Sequence, residues 1–533
     1  MTIVSLAFFA FVAALTLVYF LVPKAHRWVV LLVGSYIFYW LNSQWLALVL
    51  LGTTAVTYLA GWWIQRLQDQ RKAYLDAHRA EMARAERKAY NAATKKATRR
   101  ILVPGILVSL APLLCLKYGN FFIENLNALL SLFRVQVSIA YFDVLLPLGI
   151  SFYTLQAIAY LTDVYRGKAT AERNPARFML FMSFFPQIVQ GPIPRYNQLA
   201  PQLYEGHDFD YTRMCHGVQL MVWGLFKKLV IGERIAIPVN ALFNGYTNYS
   251  GPILFCAAAM YGLQVYADFS GGMDIVRGVS QILGIELELN FRQPYFSSSV
   301  EEFWRRWHIT MGNWMRDYVF YPLSMSRAFT TFGQRCRKAF GQYIGNRLPP
   351  FCAMFIVYIL VGLWHGAAWN YVVFGLWNGV FIMLGILMDG LHDRARRLLH
   401  VREKSITWRI FRIVRTFVVI SFGRYFSRGN SLDDAVQMIG RTFRNWRDIT
   451  FVTDGTLLSL GLDNANWIAL AVFLLVLLYV DLHHERGVSF REVIDRQNLV
   501  FRWLIYAGAV LLILVFGMYG PQYDAASFIY QGF

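Results

Sequence analysis

Apolar stretches long enough, or nearly long enough, to cross a bilayer recur along almost the whole of this chain, and that recurrence restricts its fold more than any other feature. A helix of roughly 20 apolar residues spans the hydrocarbon core while closing its backbone hydrogen bonds internally. The stretches are 5–22, 29–41, 46–64, 101–116, 144–161, 178–189, 217–231, 253–267, 351–363, 369–388, 410–421, 467–480 and 504–518. Several fall short of a full span and are expected to be tilted, re-entrant or buried among their neighbours. Apolar residues make up 56% of the chain and charged residues only 16%, the latter against about a quarter in a soluble domain. The expectation is an all-α polytopic membrane protein with about ten to thirteen transmembrane and re-entrant helices. The run 5–22 passes into Pro23-Lys24 with no small-residue cleavage pattern, so it reads as a retained helix.

A formal net charge of +19 invites a nucleic-acid reading, which the distribution of the charges rejects. The basic residues stand in short blocks between apolar runs, as the positive-inside rule produces. Lys24, His26 and Arg27 follow the first run; segment 66–100 holds eleven Lys and Arg against four Asp and Glu; 394–415 and 483–502 are further basic blocks. With these blocks in the cytosol the N-terminus starts outside, 66–100 is inside, and the tail 519–533 ends on the extracytoplasmic side. Segment 66–100 contains no Gly or Pro and reads as one polar cytosolic helix, either solvated or lying on anionic lipid. The five cysteines, Cys115, Cys215, Cys256, Cys336 and Cys352, have no CxxC or other metal-ligand spacing, so no metal site is expected. With no repeat or linker, the chain reads as one membrane domain over 1–533.

Ionisable groups inside apolar sequence are costly and ask for a reason. Two clusters hold them. In 261–323, Gln264, Asp268 and Asp274 interrupt an apolar helix-like stretch, and Ser270-Gly271-Gly272 predicts a break in it. Further on, Trp304, Trp307 and Trp314 mix with Arg305, Arg306, Arg316 and His308. A continuous helix would bring Trp304, His308 and Arg316 near one face. That pattern suits an interfacial helix, with Trp at the headgroups and Arg on phosphates, as well as it suits a site. In the second cluster His365 stands in an apolar run beside Gly362 and Gly366. It is either a satisfied core histidine or a base kept neutral by desolvation. No GxSxG, P-loop or HExxH motif competes for a catalytic role.

The stretches RRWHITMGNWMRDYVFYPL (305–323) and VGLWHGAAWN (361–370) resemble the two histidine signatures of the membrane-bound O-acyltransferase (MBOAT) family. The similarity is to the bacterial branch typified by the alginate O-acetylation membrane protein. LPLGISFYTLQAIAYLTDVYRG (146–167), FFPQIVQGPIPRYNQLAPQL (184–203), GLFKKLVIGERI (224–235), YGLQVYADFSGGMDIVRGVSQILGIELELNFRQPYFS (261–297) and the C-terminal FGMYGPQYDAASFIYQGF resemble that branch in order and spacing. The departures are the basic insert 66–100 and Gln190, where a small residue is expected. The resemblance implies a ring of helices around a thinned centre, where an outer funnel meets a cytosolic donor tunnel. It makes His365 the catalytic residue and His308 its companion.

Under that resemblance the chemistry is acyl transfer from a thioester donor, acetyl-CoA, with no other cofactor. His365 deprotonates a hydroxyl, and His308, with Trp307 and Asn313 near it in sequence, orients the donor or stabilises the oxyanion. Trp304, Trp364 and Asn370 would line the donor path or the funnel, as would Asp268, unless Asp268 is a paired structural carboxylate. Tyr530, in the terminal FIYQGF, is either part of an interfacial aromatic tail or, by likeness to an F-x-Y-x-x-F acyl-carrying ending, the acceptor that relays the acyl group outward. The implied setting is the cytoplasmic membrane and its lipid. The implied partners are an SGNH-like extracytoplasmic acyltransferase, a polysaccharide acceptor and an acyl donor or carrier on the cytosolic side. D-alanyl transfer to teichoic acid and a non-enzymatic polysaccharide transporter are the alternatives.

Overall fold

The computed structural model describes residues 1–135, 137–143 and 145–519; Tyr530 and the rest of 520–533 lie outside the described residues. Among the described residues the regular structure is helical, apart from one isolated bridge between Phe291 and Trp307. Seven helical stretches among the described residues are long and apolar enough to cross a membrane: Lys24–Ala77, Arg84–Leu132, Pro252–Ile282, Arg327–His365, Trp369–Leu387, Asn464–Glu485 and Leu499–Phe516. The chain is an all-α polytopic membrane protein. The remaining apolar runs form shorter pieces. Pro175–Ser183 and Phe185–Gln190, for example, are separated at Phe184, with Pro186 in the first turn of the second. Ile150–Tyr165 buries residues on every side, the mark of a helix enclosed by protein rather than lipid.

The chain folds as two compact units, one of residues 1–217 with 276–288, the other of 218–275 with 289–533. In the first unit, Ala47–Ala77 and Arg84–Leu132 pair antiparallel. Thr57 Oγ1 lies 3.2 Å from Ser109 Oγ, and the rings of Tyr74 and Tyr90 stack with centroids 4.6 Å apart. Segment 66–100 is therefore not one helix, as its composition suggests, but the ends of two helices joined by a turn at 78–83. The second of them starts from an extended Ala83 (φ −63°, ψ 151°), whose N–H donates to the Glu86 carboxylate at 3.1 Å. That bond satisfies a donor left over at the new helix start. At the end of Phe185–Gln190, Gln190 is buried.

The helix Pro252–Ile282, whose residues to 275 belong to the second unit, runs unbroken through Ser270-Gly271-Gly272, contrary to the break the glycines suggest. Gly271 serves close packing instead: a Cβ there would stand 2.7 Å from the Gly224 carbonyl oxygen. The preceding segment takes a π-helical turn over Phe226–Gly232, which buries two consecutive lysines. Lys227 Nζ contacts Asp274 at 2.7 Å and Ser270 at 2.8 Å, while Lys228 pairs with Asp268 and, at 2.6 Å, with Glu233. Charges this buried persist only when paired in this way. Arg327–His365 and Trp369–Leu387 form a close antiparallel pair in which Gly362 meets the Tyr371 carbonyl and Gly375 the Tyr358 carbonyl. A side chain at either glycine would push the helices apart.

Candidate active site

The structure brings the two signature histidines to one aromatic residue within the second unit. His365 is the last residue of Arg327–His365, followed by an extended Gly366. Its imidazole meets Trp364 and Phe374 edge to face, with centroids 5.0 and 5.6 Å away. The same Trp364 indole lies 5.3 Å from the imidazole of His308, which also meets Phe269 at 5.0 Å. Both histidines are buried. The glycines beside His365 admit neighbouring protein: Gly362 makes room for the Tyr371 backbone and Gly366 for the Tyr371 ring.

His308 does not continue a helix from Trp304. Val300–Arg306 ends before it, Ile309–Met315 begins after it, and His308 itself is left-handed at φ 48°, ψ 53°. The cause is a tertiary pairing with residues 290–292. Phe291 bridges Trp307, Arg292 N–H donates to the Arg306 carbonyl at 2.9 Å, and Ile309 N–H donates to the Asn290 carbonyl at 3.0 Å. Those bonds reward the break, where an uninterrupted helix would leave them unmade. Burial pushes the His308 pKa from 6.5 down to about 3, because an imidazolium would lose its hydration there. His308 is neutral at physiological pH.

The tryptophans are not a headgroup belt. Trp307 is enclosed, stacked on Phe303 at 5.4 Å and covered by the Arg424 guanidinium at 5.0 Å. Trp304 Nε1 donates to Asn378 Oδ1 at 3.1 Å, and Trp314 is buried. Arg306 binds Glu302 at 2.7 Å and Glu485 at 2.6 Å, so its partner is protein and not lipid phosphate. Asp268 is the carboxylate partner of Lys228, which is the structural reading of that residue. Asn370 donates to the Gly429 carbonyl at 2.9 Å, and Asn313 sits half-buried in Ile309–Met315. Tyr530 lies outside the described residues.

Sequence reasoning passed over Asn290, Asn378, Arg424 and the lysine pair. The adjacent Lys227 and Lys228 in an otherwise apolar run were a readable signal, because two charges at that depth demand partners. Asn290 gave none, being one amide in the ordinary-looking ELELNF. Among the described residues no three His, Cys, Asp or Glu side chains converge as metal ligands.

The profile of the membrane-bound O-acyltransferase family, MBOAT, matches residues 172–333, a span that holds His308 and stops short of His365. A protein named probable alginate O-acetylase AlgI, from Pseudomonas putida, is 32% identical over 426 residues, covering 80% of this chain and 76% of the relative. A peptidoglycan O-acetyltransferase of Helicobacter pylori is 28% identical over 368 residues, 63% of each chain. A teichoic acid D-alanyltransferase of Bacillus subtilis is 30% identical over 291 residues, 53% of this chain and 68% of the relative.

Proposed function

Since the chain belongs to the membrane-bound O-acyltransferase family, and is a multi-pass membrane acyltransferase, we propose that it moves an acetyl group from cytosolic acetyl-CoA across the cytoplasmic membrane for O-acylation of an extracytoplasmic polysaccharide. The observation that carries this reading is the shared contact of His308 and His365 with Trp364. Two buried imidazoles against one indole suit a water-poor acyl-transfer centre, where a neutral base and a hydrogen-bond donor are both needed.

In the proposed reaction His365 takes the proton of an acceptor hydroxyl as its oxygen attacks the thioester carbonyl. His308 supports the charge that grows on the carbonyl oxygen. The attack forms the new O–C bond, and collapse of the tetrahedral intermediate re-forms the carbonyl and breaks the C–S bond. The proton held by His365 then passes to the departing thiolate, so the products are an ester and a free thiol. The Tyr530 hydroxyl is the proposed first acceptor, from which an SGNH-like extracytoplasmic acyltransferase would pass the group to the polysaccharide. Trp364 and the Trp304–Asn378 pair are proposed to shape the donor's path. The direction of transfer rests on the basic blocks, which favour a cytosolic 66–100.

The acetyl reading is preferred to D-alanyl transfer because similarity to the alginate O-acetylase covers 80% of this chain, against 53% for the D-alanyltransferase. The discriminating experiment supplies purified protein in proteoliposomes with acetyl-CoA or with a D-alanyl thioester carrier, and follows ester formation by mass spectrometry. Acetyl ester from acetyl-CoA supports the proposal; ester from the D-alanyl donor alone overturns it.

A further inference from the structure

We infer that Asn290 is a positioning residue whose side chain fixes His308 in the tautomer bearing hydrogen on Nε2, making His308 a hydrogen-bond donor and not a second base. The role in catalysis rests on the acyl-transfer reading above; the tautomer does not.

The assignment starts from the Thr310 backbone N–H, which can only donate. It lies 3.0 Å from Asn290 Oδ1, and Thr310 Oγ1 lies 3.0 Å from the same atom. A nitrogen in that position would set donor against donor, so the atom is the amide oxygen. The other arm, Nδ2, then stands 3.2 Å from His308 Nδ1 and 3.7 Å from Met273 Sδ, with one hydrogen for each. The reverse assignment, His308 Nδ1–H to Oδ1, is longer at 3.4 Å and would add a third donor to an oxygen that already accepts two. Nδ1 therefore accepts. A neutral imidazole carries one ring N–H, which then belongs to Nε2.

Asn290 also holds the backbone that His308 needs. Its carbonyl accepts from Ile309 N–H at 3.0 Å, so it bonds both residues that follow the left-handed turn. Asn290, His308, Thr310 and Met273 are at most 3% exposed, so these bonds are shielded from bulk solvent. The ring faces described on His308 are those of Phe269 and Trp364, neither of which is ionised. With its tautomer locked, His308 offers N–H to the growing oxyanion and leaves proton removal to His365. Two histidines of interchangeable tautomer would compete for one role.

The direct test is nitrogen NMR of wild-type protein carrying isotope-labelled histidine, in detergent micelles, with His308 assigned by its loss in His308→Gln. The expected result is an unprotonated, pyridine-type Nδ1 and a protonated, pyrrole-type Nε2; the opposite pattern overturns the inference. The functional arm uses Asn290→Asp, equal in size but offering Nδ1 an acceptor. Acyl transfer near neutral pH should fall about 100-fold. It should recover partly between about pH 8 and about pH 6, because the carboxylate raises the His308 pKa and an imidazolium again carries hydrogen on Nε2. In the His308→Gln background, whose amide keeps an N–H in either case, Asn290→Asp should cost less than about threefold. Equal losses in both backgrounds with no acid recovery would reduce Asn290 to a structural residue. If Asn290→Asp does not accumulate, the wild-type spectrum decides alone. A wild-type protein with the expected spectrum but no acyl transfer would sink the proposed function and leave the tautomer standing.

Discussion

The indole of Trp364 packs edge to face against the imidazole of His308, centroid to centroid 5.3 Å, although nothing in the sequence between 308 and 364 ties the two signatures together. This contact joins the first signature to the residue immediately before His365, and the chemical division between the histidines can be tested on it. His365→Ala is expected to abolish polymer acylation, a loss of about 100-fold to 10,000-fold for a general base, while the protein still inserts and accumulates. His308→Ala should lower the rate and leave a residue of activity. Wild-type acylation by a well-expressed His365→Ala protein would remove its assigned role.

Removing Lys228 should damage the fold more than any exposed charge. Its ammonium is buried between Asp268 and Glu233, so Lys228→Met would take away the buried cation that two carboxylates share, at a cost of about 3–5 kcal/mol. By contrast Arg305, whose contact with Glu301 at 3.7 Å is solvent-exposed, should be replaceable by Ala with little change. Thermal unfolding in detergent compares the two. Equal behaviour would mean the lysine network contributes nothing to stability.

Orientation can be read with an impermeant thiol reagent in intact cells, using single cysteines in a background without the five native ones. Ala93→Cys, in the hairpin segment 66–100, should stay unlabelled until the cells are opened. Gln522→Cys should label from outside. Labelling of Ala93→Cys in intact cells would reverse the inside-to-outside direction.

Tyr530→Phe keeps an aromatic ring and deletes one oxygen. The phenol's pKa of about 10 makes its ester more readily transferred onward than that of an alkyl alcohol. The variant should accumulate normally and fail to acylate polymer, whereas wild type should yield an acyl adduct on its C-terminal peptide. Undiminished acylation in Tyr530→Phe would return the tail to an interfacial role.

The membrane class was legible because it follows from residue type: long apolar runs have one home. Residue type alone left both histidines open, and it was the resemblance of the motifs around them that singled out His308 and His365. What escaped was set by contacts between distant segments. Gly271 looks like a chain break, yet the same missing Cβ that permits a turn permits Gly224 to approach. The hairpin turn at 78–83 carries no Gly or Pro, so it lacks the usual punctuation. The interruption at His308 depends on Asn290 and Phe291, and periodicity within 300–316 cannot report a partner outside that window.

The left-handed backbone of His308 sets a buried side chain on a conformation that suits glycine better. A side chain with a Cβ costs about 1–2 kcal/mol in that conformation, and glycine costs almost nothing. His308→Gly would relieve that cost, but it would also empty a buried place between Phe269 and Trp364 and take the acceptor from Asn290 Nδ2, a loss of about 1–3 kcal/mol for the unpaired amide alone.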